Sequence, residues 1–167
     1  MRLFWKWLLR DIQKDAGLKK EFLAALVSVL DLRGNNFHPL AFINGSPRIG
    51  KNVCVGFFSE INAKDAVVDI GDGCDIASFV AINAADSHRR CIGLSSEIDR
   101  KPIILEDHVF VGSHAFIGGG THIGHHSVVG AGTILINGGD IPPYSLIIGN
   151  PAVIKPKNFI ECMPNKG

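Results

Sequence analysis

The chain of 167 residues carries an aliphatic residue at every sixth position over much of its second half. These positions are Leu105, Val111, Ile117, Ile123, Val129, Leu135, Ile141 and Ile147. A helix of about 3.6 residues per turn would spread such side chains around its axis, so they would form no helical face. A coil with three short flat sides uses the period, because the first residue of each six points inward. Stacked coils then bury one continuous core.

The same period occurs earlier in the chain. Two runs of three share the spacing and are separated by three extra residues: Ile49, Val55, Ile61, Ile70, Ile76 and Ile82. The residue after the aliphatic is often Gly, and the fifth residue of each unit is mostly small. Cys74 holds such a fifth position, so we expect its thiol in the core. The repeat predicts a solenoid over most of the chain.

The repeat stops between Ile82 and Leu105, in a polar segment rich in basic residues. A long irregular segment inside a compact repeat is usually functional or disordered. We therefore expect residues 83–104 to leave the solenoid as a loop that carries reactive side chains. The predicted organisation is a helical cap over residues 1–34, a solenoid domain over residues 35–157 and a tail over residues 158–167.

The first 34 residues are predicted to form two helices broken around Gly17. Charged residues interrupt every apolar run, so neither a signal peptide nor a transmembrane helix is predicted. A basic residue recurs at every fourth position, at Arg2, Lys6, Arg10 and Lys14. Two interpretations stay open: an amphipathic cap on the solenoid end or a subunit contact, and a helix weakly bound to a membrane surface through Trp5 and Trp7.

Composition narrows the class of protein. A formal net charge of +1 argues against a nucleic-acid partner. A hydrophobic content of 46% suffices for the core of one domain. The four cysteines show no CxxC spacing and nothing indicates secretion, so reduced thiols and a cytoplasmic protein are predicted. Cys91 lies in the loop, but the sequence identifies no base that would activate it.

Three features together point to a family: the six-residue units, the loop motif DSH from Asp86 to His88, and the closing run IPPYSLIIGNPAVIKP. With these features the chain resembles the hexapeptide-repeat acyltransferases. The most similar subgroup holds the maltose, galactoside and xenobiotic acetyltransferases and sugar-modifying enzymes of surface polysaccharide synthesis. The resemblance implies an all-β fold, a left-handed parallel β-helix, and a homotrimer with active sites between subunits.

The resemblance also implies an activity. Acetyl-CoA would donate an acetyl group to a hydroxyl or amine of a sugar or nucleotide sugar, in surface polysaccharide or lipopolysaccharide synthesis. A xenobiotic acetyltransferase and a non-catalytic solenoid are the alternatives. His88 matches the family's catalytic histidine, which would act as the general base on the acceptor. Asp86 would orient the imidazole, or it is a turn former.

Further site residues follow from the same resemblance. The pantetheine arm of the coenzyme is expected at Ser113, Gly130, Ala131 and Gly132. Lys155 and Lys157 are candidates for its phosphates. The candidates for acceptor binding are Asn62, Asp65, Asn83 and Arg89. The basic loop would favour an anionic acceptor.

The remaining histidines raise the question of a metal. His108, His114 and His126 hold the fourth position of their units, where side chains face outward. The γ-class carbonic anhydrases of the same fold bind zinc through three histidines, two of them five residues apart. No histidine pair here has that spacing. Surface or subunit-interface imidazoles without a metal are therefore predicted.

Overall fold

The computed structural model describes residues 10–12, 14–29, 37 and 40–159. Residues 10–12 are helical, and helix α1 spans Ala16–Val29. The break between them lies at Asp15, whose carboxylate accepts the backbone N–H groups of Gly17 and Leu18 at 2.8 and 3.0 Å. This is the usual way of capping a helix N-terminus. The predicted membrane-facing residues Trp5 and Trp7, like Arg2 and Lys6, lie outside the described residues.

Short strands follow the helix. They are β1 Phe42–Gly45, β2 Arg48–Ile49, β3 Cys54–Val55, β4 Glu60–Ala63, β5 Val68–Ile70, β6 Asp75–Ile76, β7 Ala81–Asn83, β8 Ala85–Asp86, β9 Asp99–Arg100, β10 Ile103–Leu105, β11 Phe110–Val111, β12 Phe116–Gly118, β13 Thr121–Ile123, β14 Val128–Val129, β15 Ile134–Leu135, β16 Gly139–Ile141, β17 Leu146–Ile148 and β18 Val153–Lys155. A one-turn helix, α2, spans His88–Cys91.

The strands form three sheets that the chain visits in rotation. Sheet 1 has the order β1-β4-β7-β12-β15, sheet 2 the order β2-β5-β10-β13-β16 and sheet 3 the order β3-β6-β11-β14-β17-β18. All pairings within these sheets are parallel except that of β18, which runs antiparallel to β17. The chain is thus a parallel β-helix of about six turns, as the repeat predicts.

Three aliphatic columns fill the β-helix, one behind each sheet. In sheet 1, for example, Ile61 pairs with Ile82, Ile82 with Ile117 and Ile117 with Leu135. Every aliphatic position of the repeat is buried except Ile49, the first of them along the chain, which is partly buried. The predicted core is therefore confirmed. Each buried isoleucine contributes about 1.5–3 kcal/mol of transfer free energy.

The small fifth residues complete the interior. Cys74 is 1% exposed, which confirms its prediction as a core residue, and burial raises the pKa of its thiol. Buried hydroxyls are satisfied within the coils: the Ser59 hydroxyl donates to the Ala77 carbonyl at 2.8 Å, and the Thr121 hydroxyl donates to the Gly118 carbonyl at 2.9 Å. Polar side chains of this size can be buried because each finds a partner.

The corners of the coils turn through residues with positive φ. His108, His114 and His126 have φ values of 57°, 61° and 57°. This left-handed conformation directs their side chains outward, as predicted. Residues 18 positions apart stack one coil apart, and the rings of His108 and His126 lie 4.9 Å from each other.

One excursion interrupts the coils. Asn83 still pairs in sheet 1 and Ile103 already pairs in sheet 2, so the excursion occupies residues 84–102. It contains α2 and the antiparallel pair β8-β9. The segment is therefore a structured addition to the solenoid. Its two ends are joined to each other, because the Lys101 N–H donates to the Ala84 carbonyl at 3.0 Å.

Candidate active site

Asp86 and His88 stand where β8 gives way to α2. One Asp86 oxygen, Oδ1, lies 2.6 Å from His88 Nδ1 and accepts the backbone N–H of His88 at 3.0 Å. Asp86 is thus both a turn former and a partner of the imidazole, and the two readings of its role are compatible. The hydrogen bonds from the His88 backbone N–H and from its ring hold the pKa of the Asp86 carboxyl below its ordinary value.

The hydrogen bond to Asp86 determines which ring nitrogen of His88 carries the proton. An ionised carboxylate only accepts hydrogen bonds, so Nδ1 carries the proton when the imidazole is neutral. Nε2 then holds the lone pair. The His88 side chain is 63% exposed, so this nitrogen is accessible to a bound molecule. The arrangement is that of a general base with an orienting carboxylate.

An open cavity of about 650 Å³ surrounds this pair. The excursion lines it with Asp86, His88, Cys91, Asp99 and Lys101. The coils line it with Asn83, Phe116, Gly118, Gly119, Ile136 and Asn137. Its volume is in the range typical of small-molecule sites, and its wall combines apolar side chains with a few polar ones.

The structure separates the acceptor-binding candidates. Asn83 lines the cavity, whereas Asn62 lies one coil below it and donates from its amide to Asn83 at 3.2 Å. Asp65 lies at a coil corner, 3.7 Å from the Arg100 guanidinium. Arg89 is exposed on α2 and is not part of the cavity wall. Of the four candidates, only Asn83 thus shares the cavity with His88.

Of the lysines and arginines of the excursion, Lys101 alone lines the cavity. The Lys101 ammonium lines the wall and donates to the Asn137 side-chain oxygen at 2.8 Å. The Arg100 guanidinium instead donates to the backbone carbonyls of Lys64 and Ile98, both at 3.3 Å. The sequence reading did not identify the Lys101–Asn137 contact, since the two residues are 36 positions apart.

The candidates for the coenzyme lie at the corner that follows sheet 3. The Gly132 N–H donates to the Ser113 carbonyl at 2.9 Å, so these two residues are neighbours in successive coils. A Cβ added at Gly132 would meet no atom within 4 Å, whereas one added at Gly130 would lie 2.8 Å from Ile148 Cγ2. Gly130 is thus required by packing, and the exposed backbone at Ala131 and Gly132 leaves room for a close approach.

The basic residues proposed for the phosphates lie on and after β18. Lys155 is opposite Leu146, at the start of β17, whereas the corner with Ser113 follows the ends of the sheet 3 strands. Lys157 adopts a positive φ of 57° in the turn that follows. Both lysines are exposed on the last coil. They therefore stand at the opposite end of sheet 3 from Ser113.

A second group of polar side chains lies away from this site. His108, His125 and His126 line a cavity of about 510 Å³ together with Arg48. Within the described part of the chain, no group of three or more His, Cys, Asp or Glu side chains is arranged to hold a metal ion. None of the helices in these same ranges is long and apolar enough to cross a membrane.

Comparisons with known proteins agree with this architecture. A family model described as the hexapeptide repeat of succinyl-transferase matches residues 102–136. The galactoside O-acetyltransferase of Escherichia coli strain K12 is 33% identical over 147 residues, which cover 84% of this chain and 67% of that protein. The chain spans between 39% and 67% of the length of the curated relatives it matches.

Two solved structures extend the likeness. A galactoside acetyltransferase in complex with coenzyme A is 26% identical, with a TM-score of 0.65, over 99% of this chain and 85% of that one. The polySia-specific acetyltransferase NeuO is 31% identical, with a TM-score of 0.59, over 72% of this chain and 52% of that one.

Proposed function

Because the chain belongs to the hexapeptide-repeat acyltransferase family, we propose that it transfers an acetyl group from acetyl-CoA to a hydroxyl or amine of a sugar. The observation that carries the proposal is the Asp86–His88 pair on the wall of an open cavity. The galactoside relatives support a sugar as acceptor. The coenzyme A complex of one of them supports the donor.

The geometry suits a direct transfer. His88 Nε2 accepts the proton of the acceptor as its oxygen or nitrogen attacks the thioester carbonyl. The new C–O or C–N bond forms, the C–S bond breaks, and the imidazolium returns the proton to the leaving thiolate. The Asp86 carboxylate stabilises the imidazolium between these steps. A base placed in this way contributes about 10²- to 10⁴-fold in rate.

Direct transfer needs no acyl-enzyme. Cys91 is exposed and lines the same cavity, but within the described residues its thiol forms no hydrogen bond to an imidazole. A nucleophilic cysteine would need its own activating base within hydrogen-bond reach. We therefore propose that the His88 imidazole deprotonates the acceptor and does not activate Cys91.

The coenzyme would run along the outside of the coils past Ser113, Ala131 and Gly132. The open backbone at Gly132 supports this path, since no side chain narrows it. Lys155 and Lys157 would meet the phosphates at the far end of sheet 3.

A homotrimer with shared sites is part of the proposal. The corner between sheets 3 and 1 exposes a column of stacked aromatic rings, with Phe58 55% and Phe79 44% exposed. His114 continues this column by stacking on Phe79 at 4.9 Å. An exposed row of aromatic side chains on a regular solenoid is typical of a protein–protein contact.

The setting we propose is surface polysaccharide or lipopolysaccharide synthesis, with a free or nucleotide-linked sugar as acceptor. Likeness to an acetyltransferase named for polysialic acid supports it. A xenobiotic acceptor is the competing possibility, and a thiol-release assay with both kinds of acceptor tests it.

Thiol release from acetyl-CoA tests the proposal directly. The panel of acceptors contains neutral sugars, amino sugars, nucleotide sugars and antibiotics, each with and without EDTA. We expect acceptor-dependent release with a sugar, unaffected by EDTA. Release only with antibiotics would replace the sugar by a xenobiotic acceptor. No release with any acceptor would overturn the proposed function.

A further inference from the structure

Three asparagines form a ladder along sheet 1. Asn44 pairs with Asn62 and Asn62 with Asn83 in successive coils. The Asn44 side-chain N–H donates to Asn62 Oδ1 at 3.0 Å, and the Asn62 side-chain N–H donates to Asn83 Oδ1 at 3.2 Å. The amides are therefore linked in one row that runs towards the cavity.

The backbone sets the direction of this ladder. The Lys64 N–H donates to Asn62 Oδ1 at 3.2 Å, and the Ala85 N–H donates to Asn83 Oδ1 at 3.0 Å. A backbone N–H can only donate, so the atom it faces in each amide must be the oxygen. Both upper amides thus have one allowed orientation, with oxygen towards the coil below and nitrogen towards the coil above.

The ladder ends at Gly118. This residue holds the position next to Asn83 in the following coil, and it has no side chain to continue the row. Both lone pairs of Asn83 Oδ1 are already used, by Ala85 and by Asn62. Within the described ranges, the Asn83 amide nitrogen donates to no protein group. Asn83 and Gly118 both line the cavity that contains His88.

We propose that the ladder makes Asn83 an obligate hydrogen-bond donor to the sugar acceptor, a rule that rests on the proposed function. His88 Nε2 and the Asn83 amide then have opposite character: His88 Nε2 takes a proton and the Asn83 amide donates a hydrogen bond. The acceptor must place an oxygen lone pair, from a hydroxyl, ether or carbonyl, beside the group it has acetylated. An ammonium group cannot accept a hydrogen bond and is disfavoured at that position.

The test uses three sugars that differ only at the carbon next to the acetylated one, which carries a hydroxyl, a hydrogen or an ammonium group. With the wild-type protein, kcat/KM should fall by about 5- to 10-fold for the deoxy sugar, the usual effect of one lost hydrogen bond, and further for the ammonium sugar. Asn83→Asp replaces the donor by an acceptor of the same shape. This variant should prefer the ammonium sugar to the hydroxyl sugar.

Asn52→Asp makes the same chemical change at an exposed coil corner, away from the ladder and the cavity. It should keep the wild-type order of the three sugars, with kcat/KM within about threefold of wild type. If Asn83→Asp folds and keeps the wild-type order, the acceptor rule is overturned while the proposed function stands. A wild-type protein that acetylates none of the sugars overturns the proposed function and the rule with it.

Neutron diffraction provides a measurement that does not depend on activity or on the variants. Deuterated amide nitrogen and amide oxygen scatter differently, so the orientation of Asn83 is read directly. We expect the ND₂ group to face the cavity. The opposite orientation would contradict the proposal that the ladder makes Asn83 a hydrogen-bond donor to the acceptor.

Discussion

Asp86 holds its neighbour His88 with one oxygen atom at two points, the ring and the backbone. Because the pKa of Asp86 is lowered, the carboxylate stays ionised throughout the pH range in which an imidazole titrates. The pair therefore keeps its orientation while His88 gains and loses a proton. The ladder acts in the same way on Asn83, whose amide is oriented by a backbone N–H and by the coil below.

At this scale we predict that His88→Ala keeps the fold and loses about 10²- to 10⁴-fold in kcat, because the acceptor loses its general base. The residue lies on the excursion, outside the aliphatic columns, so the melting temperature should stay close to that of wild type. Steady-state thiol release and thermal melting measure the two effects.

His108→Ala is the matched control, since it removes an exposed imidazole from another corner of the coil. Its kcat should stay within about threefold of wild type. A His88→Ala variant with equally small loss would contradict the role of His88 as the base.

Between elements, side chains on the outer face of sheet 2 link successive coils. Glu106, just after β10, accepts the His125 backbone N–H at 2.8 Å and lies 2.9 Å from His122 Nε2 on β13. His122 Nδ1 in turn lies 3.1 Å from Asp140 on β16. The His125 N–H, followed by the His122 ring, holds the pKa of Glu106 below its ordinary value. These contacts join three coils across one sheet.

We predict that Glu106 stabilises the fold in a pH-dependent way. Its pKa is lower in the folded than in the unfolded chain, so its contribution is complete above the ordinary glutamate value of about 4.3 and is lost as pH falls through the folded value. Glu106→Gln should therefore melt at a lower temperature than wild type near pH 7, and the difference should shrink towards pH 3. Melting curves across this range measure it.

Glu97→Gln changes an exposed glutamate of the excursion and provides the comparison. Its difference from wild type should stay small at every pH. If the Glu106→Gln difference grew on acidification, the sign of the linkage would be wrong.

Because the aliphatic columns are buried, we predict that truncating one of their side chains destabilises the fold. Ile117 is fully buried between Ile82 and Leu135 in sheet 1. Ile117→Ala should lower the free energy of unfolding by about 2–5 kcal/mol, because neighbouring coils are too regular to collapse into the cavity. Denaturant unfolding measures the loss. Val67→Ala, at a position 61% exposed, should change it by no more than about 0.5 kcal/mol.

For the whole molecule, the cavity is open and its wall comes from one excursion and three coils. Sites between subunits would close it, and the aromatic column of Phe58, Phe79 and His114 provides a contact surface on the same solenoid. In the proposed trimer, each site would lie between two chains. The oligomer and the activity are therefore coupled in the proposal.

Light scattering at micromolar concentration should give three times the mass of the chain. Phe79→Glu should shift the mass towards that of one chain and lower the activity, because a charge in an aromatic contact is poorly solvated. Leu94→Glu, which changes an exposed apolar residue of the excursion, should leave the mass unchanged. A wild-type mass of one chain would contradict the trimer.

The sequence by itself determined the solenoid, its continuous aliphatic core, the buried Cys74 and the outward histidines. Each of these depends on a residue's place within its own unit of six, which is a local property. The excursion was visible for the same reason, since it is where the period stops. The hand of the coil was not, because a period of six serves either hand, and only the family resemblance implied it.

The tertiary structure alone decided which side chains meet. Asn44 and Asn62 are 18 residues apart, Asn62 and Asn83 are 21 apart, and Lys101 and Asn137 are 36 apart, yet each pair is in direct contact. The interval between neighbouring asparagines grows from 18 to 21 because three extra residues are inserted into one coil, whereas Lys101 reaches Asn137 across two regular coils of 18 residues. A contact between coils depends on the sum of such insertions, and no single unit of six contains that information.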